Sequence, residues 1–183
     1  FSAGAVNAWG PAYVMRTFDM PAPETGLSYG AVTAVVAMIG TLAGGFTASW
    51  LSKRQPHYAL QILSGALVLA TLTQIAAFLS NDYGVFLVLL ATTILLTSFY
   101  LAPTFAAIQS AADPSARSFA SAVTLFCING LGIASGAFVV GAISDVLTGW
   151  MAAHSLKWAL IAVSFVKAWS ACHYWMASRN IAA

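Results

Sequence analysis

The chain has 183 residues, 60% of them hydrophobic and 7% charged, with a formal net charge of +2 and a mean hydropathy of +0.84. An ordinary soluble domain carries roughly 25% charged residues, so this composition excludes a water-soluble surface. The few charges lie between long apolar blocks, which argues against a nucleic-acid partner and predicts membrane helices of about 20 residues.

Six apolar spans are predicted in chain order. The first runs from before Phe1 to Met15. It is cut short at its start: fifteen residues precede Arg16, and the chain opens inside an apolar run with no initiator Met. The natural protein is therefore expected to begin earlier. A cleavable signal peptide fits poorly, because no basic segment precedes the run and Asn7 and Pro11 interrupt it. The remaining spans are Tyr29 to Leu51, Tyr58 to Leu79, Tyr83 to Gln109, Ser118 to Ile143 and Leu156 to Ala177.

The connections are short and carry turn chemistry: Met20-Pro21-Ala22-Pro23, Lys53-Arg54-Gln55-Pro56, Ser80-Asn81-Asp82 and Asp113-Pro114-Ser115. Short loops make successive helices antiparallel. The longest connection is expected from Asp145 to Ser155, with Trp150 in the interfacial aromatic belt. Lys53, Arg54, Arg117 and Arg179 fall on one side of such a bundle, while Arg16 and Lys157 share the other with Asp19, Glu24, Asp82 and Asp145. The positive-inside rule makes the Lys53/Arg54 loop and the C-terminus cytoplasmic, in what is expected to be a bacterial inner membrane. Cys127 and Cys172 lie within apolar spans and read as small buried hydrophobes. No disulfide framework, metal spacing or cofactor motif is present in the sequence.

Spans one to three answer spans four to six, giving repeat halves of about 1–80 and 83–180. Pro11 in the leading helix of the first triplet corresponds to Pro103 in that of the second. Gly40 and Gly44 in one middle helix correspond to Gly132 and Gly136 in the other. Such small-residue spacings let helix backbones approach closely. Triplets with an odd number of spans insert with opposite orientation, so the expected architecture is all-α, a six-helix half-bundle of two inverted three-helix repeats.

Proline-interrupted segments at matching places in two repeats point to a transport site. On the fourth span, Thr93, Thr97, Tyr100 and Thr104 follow i, i+4, i+7, i+11 spacing and share one helical face. On the first, Asn7 and Tyr13 flank Pro11. These groups either line a cavity or hydrogen-bond a neighbouring helix. Asn129 shares a face with Gly132 and Gly136, where it bonds across a tight crossing or faces the cavity. Lys167 is the one charge near the middle of an apolar span. It is either a functional charge or a snorkelling lysine, although both ends of its span are about ten residues away. No Asp or Glu occupies mid-span, so a protonating carboxylate, if transport is proton-driven, belongs to the missing half.

Two other classes compete with a transporter. Ile133-Ala134-Ser135-Gly136 approaches the Gly-x-Ser-Gly signature of rhomboid proteases, with His173 on the last helix, but Ile133 stands in the first glycine position. A non-transport signalling or scaffold module is the other alternative, and it needs no polar cavity.

The pattern Tyr100-Leu101-Ala102-Pro103, Gln109, Arg117, Ala120-Ser121-Ala122, Asn129, Gly132, Gly136, Gly141 and Ser144-Asp145 resembles the C-terminal half of the major facilitator superfamily, specifically its spinster-like branch. Trp9-x-Pro11 with Arg16 supports it. So does Gly44-Gly45-Phe46-Thr47-Ala48-Ser49-Trp50-Leu51 before Lys53-Arg54, which is similar to the superfamily's loop motif but has Ser49 for its Asp and Trp50 for its Arg. The resemblance implies helices seven to twelve of a twelve-helix, alternating-access transporter, not an enzyme. Its partners would be an N-terminal six-helix half, the lipid bilayer, protons, and a lysolipid, sphingoid lipid or similar amphiphile. It further implies that helices one, two, four and five line a central cavity while three and six lie outside, leaving Lys167 peripheral. The cavity contacts expected on this reading are Asn7, Tyr13, Thr93, Thr97, Tyr100 and Asn129. Arg16 is placed near the outer mouth as an anion contact, with pairing to Asp19 or headgroup anchoring as its alternatives.

Overall fold

The computed structural model describes residues 1–52 and 56–182, and among these the regular structure is all helical. The Lys53/Arg54 loop that carried the topology and loop-motif expectations lies outside the described residues.

The first helix, α1 (Ser2–Thr17), runs through Pro11 without a break. α2 (Ala22–Ser52) begins seven residues before the predicted Tyr29. Its first turn holds Pro23 and Glu24: a proline needs no N–H partner there, and the carboxylate suits the helix dipole. α3 (Pro56–Leu79) follows, then α4 (Tyr83–Ser98), capped by Asp82, whose Oδ1 accepts from the Val85 N–H at 2.8 Å.

The predicted fourth span is divided. α4 stops at Ser98, Phe99 and Tyr100 form a turn, and α5 (Leu101–Ala111) continues. The cause is Pro103, which has no N–H for the Phe99 carbonyl. After α5, Asp113 accepts from the Ser115 hydroxyl at 2.6 Å and its N–H at 2.9 Å. Both bonds hold this exposed carboxyl below its usual range, the hydroxyl more than the amide.

The fifth span is longer than expected. α6 (Arg117–Phe126), a π-helical stretch (Cys127–Ala134) and α7 (Ser135–Met151) run end to end. Asp145 does not start a loop, since one acidic residue with no proline beyond it does not stop a helix. The connection shrinks to a single 3₁₀ turn, Ala152–His154, and Trp150 is exposed in the last turn of α7. The sixth span also divides, into α8 (Ser155–Ala162) and α9 (Phe165–Ala182), with neither proline nor glycine at the break. There the buried Ser164 hydroxyl bonds the Ile161 carbonyl at 2.6 Å, and the Val166 and Lys167 amides take carbonyls three residues back.

Four helices are long and apolar enough to cross a membrane among the described residues: Ala22–Leu51, His57–Leu79, Tyr83–Ala111 and Arg117–Met151. α1 and the divided last span complete the six. Large apolar side chains cover the outside, including Phe119, Phe138 and Trp169 at 73%, 77% and 69% exposure. A soluble monomer rarely presents so extensive an apolar surface, so this is a lipid-facing surface and the protein is integral to the membrane. Cys127 and Cys172, expected inside, are exposed free thiols.

Two seams of small residues order the bundle. A β-carbon on Gly40 would lie 2.5 Å from the Leu95 carbonyl oxygen, and one on Gly44 would collide with the Phe99 backbone, so α2 crosses the fourth span in contact. Gly136 likewise meets the Phe1 backbone, and a β-carbon on Gly4 would lie 2.6 Å from Ile133 Cα. α2 thus packs on the fourth span and the fifth span packs on α1.

Candidate functional site

α1, α2 and the fourth and fifth spans, with Lys167 from the sixth, line an open cavity of about 720 Å³, a size that suits a small-molecule or lipid ligand. Asn7 and Pro11 come from α1, Tyr29, Thr33 and Thr41 from α2, Thr93, Thr97 and Tyr100 from the fourth span, and Asn129 from the π-helical stretch. Between them stand Ala34, Ala37, Ile94, Leu125 and Ile128. A second cavity, about 270 Å³, shares Asn7, Thr97, Tyr100, Ile128 and Lys167 with the first and adds Ser170 and Tyr174.

Local chemistry positions these groups. Asn7 is exposed and forms no side-chain hydrogen bond among the described residues, so its amide is available. The Thr97 hydroxyl bonds the Thr93 carbonyl at 2.7 Å, within its own helix. The Thr93 hydroxyl bonds Leu89 and meets the Thr73 hydroxyl at 2.8 Å, which ties α4 to α3. The predicted hydroxyl face splits at the Phe99–Tyr100 turn: Tyr100 lines both cavities, whereas Thr104 pairs with the Tyr174 hydroxyl at 2.7 Å. Asn129 donates to Leu125 in its own helix at 2.9 Å rather than across a crossing.

Three expectations need correction. Tyr13 does not face the cavity. It is 1% exposed and packs edge-on to Phe78 at a centroid distance of 4.9 Å, and its hydroxyl donates to the Phe78 carbonyl at 3.1 Å. Two helical positions past Pro11, Tyr13 turns into the aromatic core with Phe18 and Phe86. Arg16 lines neither cavity; it is exposed at the end of α1 and forms no ion pair with Asp19 among the described residues. Lys167, expected at the periphery, is 5% exposed, lines both cavities and hydrogen-bonds Gln74 Oε1.

Sequence reasoning missed Gln74 and Tyr29. Gln74 is fully buried in α3; Nε2 donates to the Leu160 carbonyl at 3.1 Å, and Oε1 accepts from Lys167 and from the Ser2 hydroxyl at 3.4 Å. A carboxamide amid apolar residues was as visible a signal as Lys167. Tyr29 bonds the Val6 carbonyl at 2.9 Å and clamps α2 to α1, a role that only the helix pairing reveals. The protease constellation does not form: the Ser135 hydroxyl bonds the Leu131 carbonyl of its own turn, and His173 packs against Trp169.

The described residues form an all-helical membrane bundle with a cavity between α1, α2 and the fourth and fifth spans. The structure superposes with a TM-score of 0.88 on a solved bacterial homologue of the human lysosomal transporter Spinster, at 21% identity, covering 99% of this chain and 45% of that one. The chain is 34% identical over 175 residues to an MFS-type efflux pump of Mycolicibacterium smegmatis, covering 95% of this chain and 41% of the pump. It is 31% identical over 156 residues to the "probable sphingolipid transporter spinster homolog 3" of Arabidopsis thaliana, covering 82% of this chain and 29% of that protein. No family model matches. The chain is thus a relative of major facilitator transporters, an efflux pump and spinster proteins among them, and spans less than half the length of these relatives.

Proposed function

We propose that this chain is the C-terminal half, helices seven to twelve, of a proton-coupled secondary transporter that moves a lysolipid, a sphingoid lipid or a similar amphiphile by alternating access. The carrying observation is the 720 Å³ cavity, in which apolar walls alternate with Asn7, Thr97, Tyr100 and Asn129. Such a lining accepts a molecule with both apolar and polar parts. An upstream six-helix half would close it from the other side, and the two would rock about it. On this reading the inverted repeat halves are about 1–80 and 83–180. The proton-binding carboxylate belongs to the upstream half on this reading, since none of Asp19, Glu24, Asp82, Asp113 and Asp145 lines either cavity. The membrane is the bacterial inner membrane, with the Lys53/Arg54 loop and the C-terminus in the cytoplasm. The names of the relatives, an efflux pump and a sphingolipid transporter, support the transport class and an amphiphilic substrate.

The test is proton-gradient-driven movement of a labelled lysolipid in proteoliposomes, with full-length protein beside the 183-residue segment. Movement by the full-length protein alone is expected. Activity in the segment by itself would overturn the division into halves, and inactivity of both would remove the substrate assignment.

A further inference from the structure

Lys167 is a buried lysine with no counter-ion among the described residues. Its hydrogen bond there goes to Gln74 Oε1, a neutral acceptor, while an ammonium carries three donors. Gln74 is held in turn by Leu160 and Ser2, so the lysine is anchored rather than free to snorkel. The chain's five carboxylates lie elsewhere: none lines either cavity, and none pairs with Lys167 among the described residues. A charge kept inside a membrane bundle is strongly disfavoured unless an opposite charge reaches it. Lys167 lines both cavities, so a molecule that enters them can supply that charge. The rest of the large cavity is walled by Ala34, Ala37, Ile94 and Ile128 with scattered hydroxyls, which offers no second ionic contact.

We propose that Lys167, positioned by Gln74, is the anion-recognition point of the cavity, and that the ligand is a single-chain amphiphile with a phosphate or carboxylate headgroup. This rests on the amphiphile-transport reading above. The headgroup meets the ammonium, and the chain lies along the apolar wall.

The experiment measures binding of dodecyl phosphate and of uncharged monolaurin to the purified full-length protein. Wild type is expected to favour dodecyl phosphate by about tenfold or more. Lys167→Met should remove that preference, weakening dodecyl phosphate far more than monolaurin, and Lys167→Arg should retain it. Gln74→Glu keeps a hydrogen-bond acceptor but neutralises the lysine internally, so it too should remove the preference, which covers the case that Lys167→Met fails to fold. An undiminished preference in Lys167→Met, or an equal loss of both ligands, would overturn the proposal and leave the amphiphile reading standing. If wild type binds neither amphiphile, that reading falls and inorganic phosphate decides: a rise in unfolding temperature in wild type but not in Lys167→Met supports the anion point, and no rise overturns it.

Discussion

Pro11 and Pro103 each lie inside an apolar span, yet α1 continues through the first while the fourth span breaks before the second. Each proline withholds an N–H from the carbonyl four residues earlier. The neighbouring helix α2 decides whether the chain then bends or breaks. Beside Pro11, the Tyr29 hydroxyl bonds the Val6 carbonyl and lies over Gly10, tying that turn down. Beside Pro103, Gly44 has no side chain, and the Phe99 backbone moves into the space. A proline permits a break, and the side chain facing it grants or refuses it. The consequence is functional, because the broken turn carries Tyr100 to the cavity while its former face-mate Thr104 goes to Tyr174.

The contrast between the two prolines is most vulnerable at Gly44. Gly44→Val should collide with the Phe99 backbone and destabilise the fold by about 3 kcal/mol or more. Gly45→Val, whose added carbon would sit at an ordinary 3.6 Å from Ala102, should fall within about 1 kcal/mol. Unfolding midpoints in detergent separate the two, and equal losses would mean that α2 does not gate the break. Next, Pro103→Ala restores the missing donor and should straighten the fourth span. We expect about 1–2 kcal/mol of added stability together with a several-fold loss of transport by the full-length protein. Pro11→Ala should change transport less, because α1 is already continuous.

Tyr100→Ala should lower transport about tenfold, or ~1.4 kcal/mol, with folded yield intact. Tyr13→Phe should instead lose about 1 kcal/mol of stability with transport unchanged, since its hydroxyl serves the Phe78 carbonyl. A reversed pattern in paired transport and unfolding assays would return Tyr13 to the cavity. Tyr29→Phe is expected to be milder, about 0.6 kcal/mol, the average for a hydrogen bond between membrane helices. It should also loosen α1 at Pro11, read as faster amide exchange at Gly10.

The smallest effect belongs to the connection after α5. Asp113 titrates below its usual value of 3.8 because Ser115 donates two hydrogen bonds to the carboxylate. A carboxyl whose folded pKa is depressed stabilises the fold above its unfolded pKa, and that stability is lost as pH falls through the folded value. Asp113→Asn should therefore leave unfolding unchanged relative to wild type only at pH values below that window, with any difference above it small because the site is exposed to solvent. A difference that grew at acid pH would contradict the sign.

Much was legible from residues alone. Hydropathy places a span because burying about 20 apolar residues in lipid requires no partner, and glycine spacing marks a seam because a missing side chain is a local fact. The two prolines were legible for the same reason, as were Asn7, Thr97 and Tyr100 as polar groups that lipid would not accept. What a neighbour does was not. Only the packed bundle shows that Tyr13 faces the aromatic core, that Gln74 holds Lys167 against the cavities, and that Gly44 yields room to Phe99 while Tyr29 closes over Val6. The sixth span breaks at Ser164 with no proline or glycine to announce it. Composition and periodicity determine which residues leave water for the membrane; which of them meet is decided by contacts between helices far apart in the chain, and no local pattern records those contacts.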